Sequence, residues 1–95
     1  MKSCINAILI HKDDNVVTVL TDIEMNSVVI FQRGDELAEL NVIENIPVFH
    51  KAAVTDIEKD AHVLKYGQVI GKAITHIARG SHVHDHNIVS PSLKG

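Results

Sequence analysis

An all-β fold of barrel or sandwich type follows from three observations. Short runs rich in Val and Ile recur along the chain, and β-branched residues fit a pleated, half-buried surface. Polar or Gly-containing breaks separate these runs at regular intervals. A short segment also recurs. Thr55-Asp-Ile-Glu-Lys-Asp-Ala-His62-Val63 aligns with Thr75-His-Ile-Ala-Arg-Gly-Ser-His82-Val83, with a weaker echo at Thr21-Asp22-Ile23-Glu24 and Val29. Each copy reads as a short helical turn feeding a strand, its Ile anchored in the core and its Val pointing inward. The period is too short and the copies too few for a solenoid.

The elements follow in order. Ile5 to Ile10 is an apolar run long enough for a buried strand, and His11-Lys12-Asp13-Asp14-Asn15 is a polar hairpin turn with solvated charges. Val16 to Leu20 and Asn26 to Phe31 are strands, and Asp22 and Glu24 between them read as solvated turn charges. Arg33-Gly34-Asp35 marks the next turn. Glu36 to Ile43 has helical composition but alternates Leu37, Glu39 and Asn41 against Ala38, Leu40 and Val42, which predicts a strand. Pro47 excludes a helix interior at that point, and Val48 to Val54 reads as a strand. Thr55 can cap a helical turn through Asp60, with acidic residues in its first turn. Val63 to Tyr66, Val69 to Thr75 and Val83 to Asn87 complete the strands, punctuated by Gly67, Gly71 and Gly80, which serve backbone geometry. Ser90 to Gly95 has the composition of a linker or frayed terminus.

Composition narrows the function. Ninety-five residues make one domain. A chain this short has a small core, so a partner would add burial. A net charge of -3 and no Lys/Arg cluster give no electrostatic grip on nucleic acid. The apolar runs are too short to span a bilayer, and the N-terminus has no apolar signal core, so a cytoplasmic location is expected. The single Cys4 excludes an internal disulfide or a multi-cysteine metal site, and it reads as a buried or neutral thiol.

The chemistry-bearing stretch is Ser81-His82-Val83-His84-Asp85-His86-Asn87. If it is extended, residues two apart share a face about 6.6–6.8 Å apart along the strand, and all three imidazoles point to one side. Imidazole is a common metal ligand, and its ordinary pKa suits proton transfer near neutrality. A polar, solvated strand face would read the same. His11, His62 and His76 read as surface or interface residues, and the single Tyr66 as a packed ring with a hydrogen-bonded hydroxyl.

His50-Lys51-Ala52-Ala53, Asp56-Ile57, Lys65-Tyr66-Gly67, Ile70-Gly71-Lys72-Ala73, Ile77, Gly80 and Val83-His84-Asp85-His86-Asn87, in that order, resemble the SAF domain of the altronate/galactarate dehydratase family. The match is good over about Pro47 to Asn87 and rests on strand pattern before that. It implies a small β-clip-like barrel, one domain over 1–89 with a tail over 90–95. It implies a small subunit or domain working beside a large one, in a lyase that removes water from an aldonic or hexaric acid such as altronate, using a divalent metal, Fe2+ in most members. The alternatives are the alpha subunit of a sulfolactate sulfo-lyase, or a non-catalytic SAF-type module that binds a ligand or protein. Exposed strand edges in so small a domain also make self-pairing plausible.

On the resemblance, His84 and His86 are site residues, as metal ligands or in proton transfer, with further metal ligands coming from the large subunit. His50 and Lys51 are the second pair of catalytic candidates, and their alternation sends only one of them to the site. Lys51 can neutralise a substrate carboxylate, and Asn87 can hydrogen-bond substrate hydroxyls. Three positions depart from the family: Phe49 and Asp60 stand where Gly is usual, and His82 occupies a variable position, which places it outside the expected site.

Overall fold

The computed structural model describes residues 4–90. It contains nine antiparallel strands and, among the described residues, no helix. None is therefore long and apolar enough to cross a membrane. Five of the expected tail residues, 91–95, lie outside the described part.

The strands are β1 (Ala7–Ile8), β2 (Val16–Val19), β3 (Val28–Arg33), β4 (Glu36–Asn41), β5 (Lys51–Ala53), β6 (His62–Lys65), β7 (Gln68–Ala73), β8 (His82–Val83) and β9 (Ile88–Val89). A four-stranded sheet in the order β1-β2-β5-β8 forms the middle of the molecule. The β3–β4 hairpin serves one side, and a β6-β7-β9 sheet the other.

This arrangement explains why Val16-Val17 and Ala52-Ala53 are apolar in succession. Neighbouring residues of a strand point to opposite faces. Val17, Val19 and Ala52 enter one core with Ile23, Val29, Phe31, Leu40, Val42 and Ile46. Val16 and Ala53 enter a second with Ile57, Val63, Ala73, Ile77 and Val83. The middle sheet is thus covered on both faces, and alternation is absent where both faces are buried. In β4 one face is buried, and alternation returns. Leu40 is buried and Ala38 half-buried, while Leu37, Glu39 and Asn41 are exposed.

The repeated segment is a turn, not a helix. Residues 55–60 form a bend, an isolated β-bridge at Ile57 and a turn. The helical reading fails because the polar group at the second position is used differently. Asp56 Oδ1 accepts a hydrogen bond from Arg79 N of the partner copy (2.8 Å), so it does not stabilise a helical first turn. Ile57 pairs with Ile77, and Ile23 pairs with Ile46 in the same manner, so the unit occurs four times. The fourth copy, around Asn45-Ile46-Pro47, is hidden in the sequence by its Pro and Phe. In every copy one residue turns left-handed: Asn26 (φ 72°), Phe49 (φ 69°), Asp60 (φ 74°) and Gly80 (φ 89°).

Asp14 is a second correction. It is 3% exposed rather than solvated. Its carboxylate accepts hydrogen bonds from His11 N (3.0 Å), Tyr66 N (3.0 Å) and Gly67 N (2.8 Å). It thereby ties the β1–β2 turn to the tip of the β6–β7 hairpin. Tyr66 and Gly67 are both left-handed there, and the Tyr66 ring is exposed beneath the Lys65 ammonium rather than packed. Cys4 is exposed, not buried.

Candidate functional site

The site lies where β5 and β8 meet at the end of the middle sheet. β5 begins after the left-handed Phe49, and His50 is held at its start by its own N–H to Pro47 O (3.0 Å) and by Val19 N donating to its carbonyl (3.0 Å). The register pairs Lys51 with Val83 and Ala52 with His82. One step further sets His50 across from His84. Residues directly opposite in an antiparallel pair share a face, so His50, His82 and His84 lie on one side. Lys51 lies on the other side with Val83.

Three imidazoles consequently stack. The ring centroids of His50 and His84 are 4.0 Å apart at 18°, those of His50 and His82 5.1 Å apart at 22°, and those of His82 and His84 5.7 Å apart at 9°. His50 Nδ1 and His82 Nε2 are 2.8 Å apart. One of these nitrogens donates and the other accepts, so the pair does not carry protons on both. Each residue offers one nitrogen to a group whose members lie within 4.8 Å of one another. His84 Nδ1 is buried and has no hydrogen-bond partner among the described residues.

The expected extended strand ends at Val83, and residues 84–87 form a tight turn. Asn87 N donates to His84 O (3.0 Å), and His84 N donates to Asn87 Oδ1 (3.0 Å). Asn87 Nδ2 donates to His82 O (2.9 Å). Asn87 is 7% exposed, so its amide acts behind the histidines, fixing their backbone. The turn carries His86 outward. His86 is exposed, its ring touches His82 at 5.0 Å and 34°, and it is absent from the nitrogen group. The residue joined to His84 is therefore His82, not His86. Sequence reasoning set His82 aside, although its place two residues before His84 was the available signal.

Burial and neighbouring cations shape the charge of the site. The His82 pKa lies below the ordinary imidazole value, first through burial and then through His86, His50 and His84, with Glu44 opposing. Glu44 also accepts a hydrogen bond from His82 N (2.7 Å). The His50 pKa is likewise lowered, by desolvation first, then by His84 and Lys51, with Asp85 opposing. Both rings are thus neutral at pH 7 and keep lone pairs for a proton or an ion. The half-buried Lys51 is lowered by burial and then by Lys65, against the pull of Asp85. The remaining histidines stay apart from this cluster: His76 pairs with Glu58 at 3.3 Å, His11 lies against Gly67, and His62 is exposed on β6.

Known proteins resemble this chain in sequence. Residues 5–91 match the family model described as the altronate/galactarate dehydratase SAF domain. Galactarate dehydratase (L-threo-forming) of Escherichia coli (strain K12) is 37% identical over 84 residues, covering 88% of this chain and 15% of that protein. Altronate dehydratase of the same organism is 40% identical over 80 residues, covering 84% and 15%. The (2R)-sulfolactate sulfo-lyase subunit alpha of Chromohalobacter salexigens is 39% identical over 54 residues, 57% of either chain. The chain thus spans about 15% of the length of the dehydratases it matches. An antiparallel all-β architecture and a match over nearly all described residues establish that this chain belongs to the SAF-domain family of the altronate/galactarate dehydratases.

Proposed function

We propose that this chain is the SAF component of a lyase that removes water from a sugar acid such as altronate, and that a larger catalytic body completes its active site. The observation that carries this reading is the gathering of His50 and His84, from separate segments, at one end of the middle sheet. Dehydrating a hydroxy acid requires removal of a weakly acidic proton beside a carboxylate and protonation of the departing hydroxyl. A neutral imidazole takes up the first proton, and an imidazolium so formed returns one to the departing hydroxyl.

His50 and His84 serve the cluster as metal ligands or as proton-transfer groups, and exposed His86 lies at its rim, towards substrate or the larger body. Lys51 lies on the opposite face of β5, so of this second pair His50 is the one that reaches the cluster. Asn87 holds the turn that presents His84. The family resemblance implies a divalent ion, Fe2+ in most members. The three imidazole nitrogens and the unpartnered His84 Nδ1 fit such an ion, which when bound would stabilise negative charge developing on the substrate.

The similarity to a sulfolactate sulfo-lyase subunit supports a second version of the same reading, in which sulfite leaves in place of water. One experiment tests both. The chain is combined with a dehydratase-type large subunit and assayed for water loss from altronate and galactarate and for sulfite release from sulfolactate. His84→Ala is expected to lower kcat by roughly 100-fold or more, the usual scale for removing a general acid or base, while the two chains still associate. Parental turnover in that variant overturns the reading. Association without turnover on any of the three acids favours a binding module instead.

A further inference from the structure

The geometry points to a divalent transition-metal site built by this chain alone, with His50, His82 and His84 as ligands and His86 outside the set. The inference rests on the lyase reading for its use, but the binding itself depends only on these side chains.

Three features carry it. First, the donors converge from separate parts of the chain: His50 immediately precedes β5, His82 lies in β8 and His84 opens the following turn. Their nitrogens fall within 4.8 Å of one another. Two imidazole nitrogens bound to one tetrahedral ion at 2.0–2.1 Å stand about 3.3 Å apart. The His50–His82 pair at 2.8 Å is slightly tighter than this, and small ring rotations replace their hydrogen bond with two bonds to the ion. Second, His84 Nδ1 is buried without a partner among the described residues. Buried polar atoms are nearly always satisfied, and an ion is one of the standard explanations for an exception. Third, the backbone carrying the ligands is braced. Asn87 bonds His84 N and His82 O, and Glu44 bonds His82 N.

The donor set selects the ion. Neutral imidazoles suit zinc, iron, copper or nickel better than calcium or magnesium. Three protein ligands leave a coordination position open, the pattern of catalytic rather than structural zinc sites. A substrate carboxylate or hydroxyl, or a group of the larger body, would complete it. The segment 84–87 turns His86 away from this centre, although its spacing from His84 equals that between His82 and His84.

The test uses the full chain without a histidine tag, stripped of metal with a chelator. Zn2+ is titrated calorimetrically, and Co2+ is followed by its visible absorption, which reports coordination geometry. One ion per chain is expected, with a tetrahedral Co2+ spectrum. His50→Ala, His82→Ala and His84→Ala should each weaken binding at least tenfold, no less than the loss seen when only an outer-shell support is removed. His86→Ala should bind as the parent does. Circular dichroism confirms that each variant is folded, and His82→Gln serves if the alanine variant is not. Absence of saturable binding, parental affinity in His82→Ala, or an equal loss in His86→Ala overturns the site. Failed binding with intact lyase activity in the assembled enzyme removes the metal site alone, whereas tight binding without lyase activity removes the lyase reading alone.

Discussion

The two halves of the molecule follow one plan but secure it differently. In the first half, the turns around Ile23 and Ile46 strap each other reciprocally. Asp22 Oδ1 accepts from Val48 N and Asn45 Oδ1 from Met25 N, both at 2.8 Å. In the second half, Asp56 accepts from Arg79 N, but His76 stands where Asn45 would, and its ring turns to Glu58. The hairpins differ in the opposite sense. The β3–β4 tip is open, and a Cβ at Gly34 would meet nothing within 4 Å. The β6–β7 tip is pinned by buried Asp14 and covered by the His11 ring. Asn side chains do equivalent work in both halves. Asn6 bonds the backbone of Val28 and Ile30, and Asn15 that of His62 and Leu64. One fold plan therefore tolerates different anchors, and the histidine cluster sits where strands leaving the two halves meet.

The sharpest way to break this comparison is Asp14→Ala. It leaves three backbone N–H groups without their charged acceptor, and a loss of about 4 kcal/mol is expected. Urea unfolding should show the fall in midpoint, and hydrogen exchange should show it concentrated in the β6–β7 hairpin. Equal loss of protection at β3–β4 would mean that Asp14 does not secure the second half specifically.

A pair of substitutions at equivalent turns gives the next effect. A Cβ at left-handed Gly80 would collide with the Asn41 carbonyl. Gly80→Ala should therefore cost about 3 kcal/mol. Its counterpart Phe49 already has a side chain at φ 69°, with 68% of the residue exposed. Phe49→Gly relieves a left-handed strain of about 1–2 kcal/mol and gives back up to about 1 kcal/mol in chain entropy, so a small net gain is expected. Thermal denaturation of the two variants checks both signs.

The smallest effect is on pH dependence. The folded-state pKa values of His50 and His82 lie below the ordinary 6.5. As pH falls below 6.5 the unfolded chain takes up these protons before the folded one does, which favours unfolding. Stability of the metal-free chain should thus be full above about pH 6.5 and decline towards pH 5. His82→Gln should flatten that decline, and an unchanged slope would show that the ring is not desolvated by its neighbours.

Much of this was legible from residue order. Alternation in Glu36 to Asn41 correctly outweighed helical composition, because only one face of β4 is buried. The runs Val16 to Leu20 and Val48 to Val54 marked strands, while their burial on both faces emerged from the structure. Two readings went astray where a polar group's partner lies far along the chain, and a third where a local turn intervened. Asp56 looked like a helix-turn residue, yet it binds Arg79 N, 23 residues away. Asp14 looked solvated, yet it binds residues 52 and 53 positions away. His86 looked like the partner of His84 because spacing was extrapolated through a turn that Asn87 closes.

The chain's own order determined an all-β domain, the approximate position of most strands, the family and the presence of a histidine-rich edge, because these depend on periodicity and on local residue type. Tertiary structure alone decided which histidines meet. The β5–β8 register sets His50 opposite the 82–84 segment, and a strand's register is chosen by burying Ala52, Ala53 and Val83 together, a balance summed over two cores that no short stretch of residues contains.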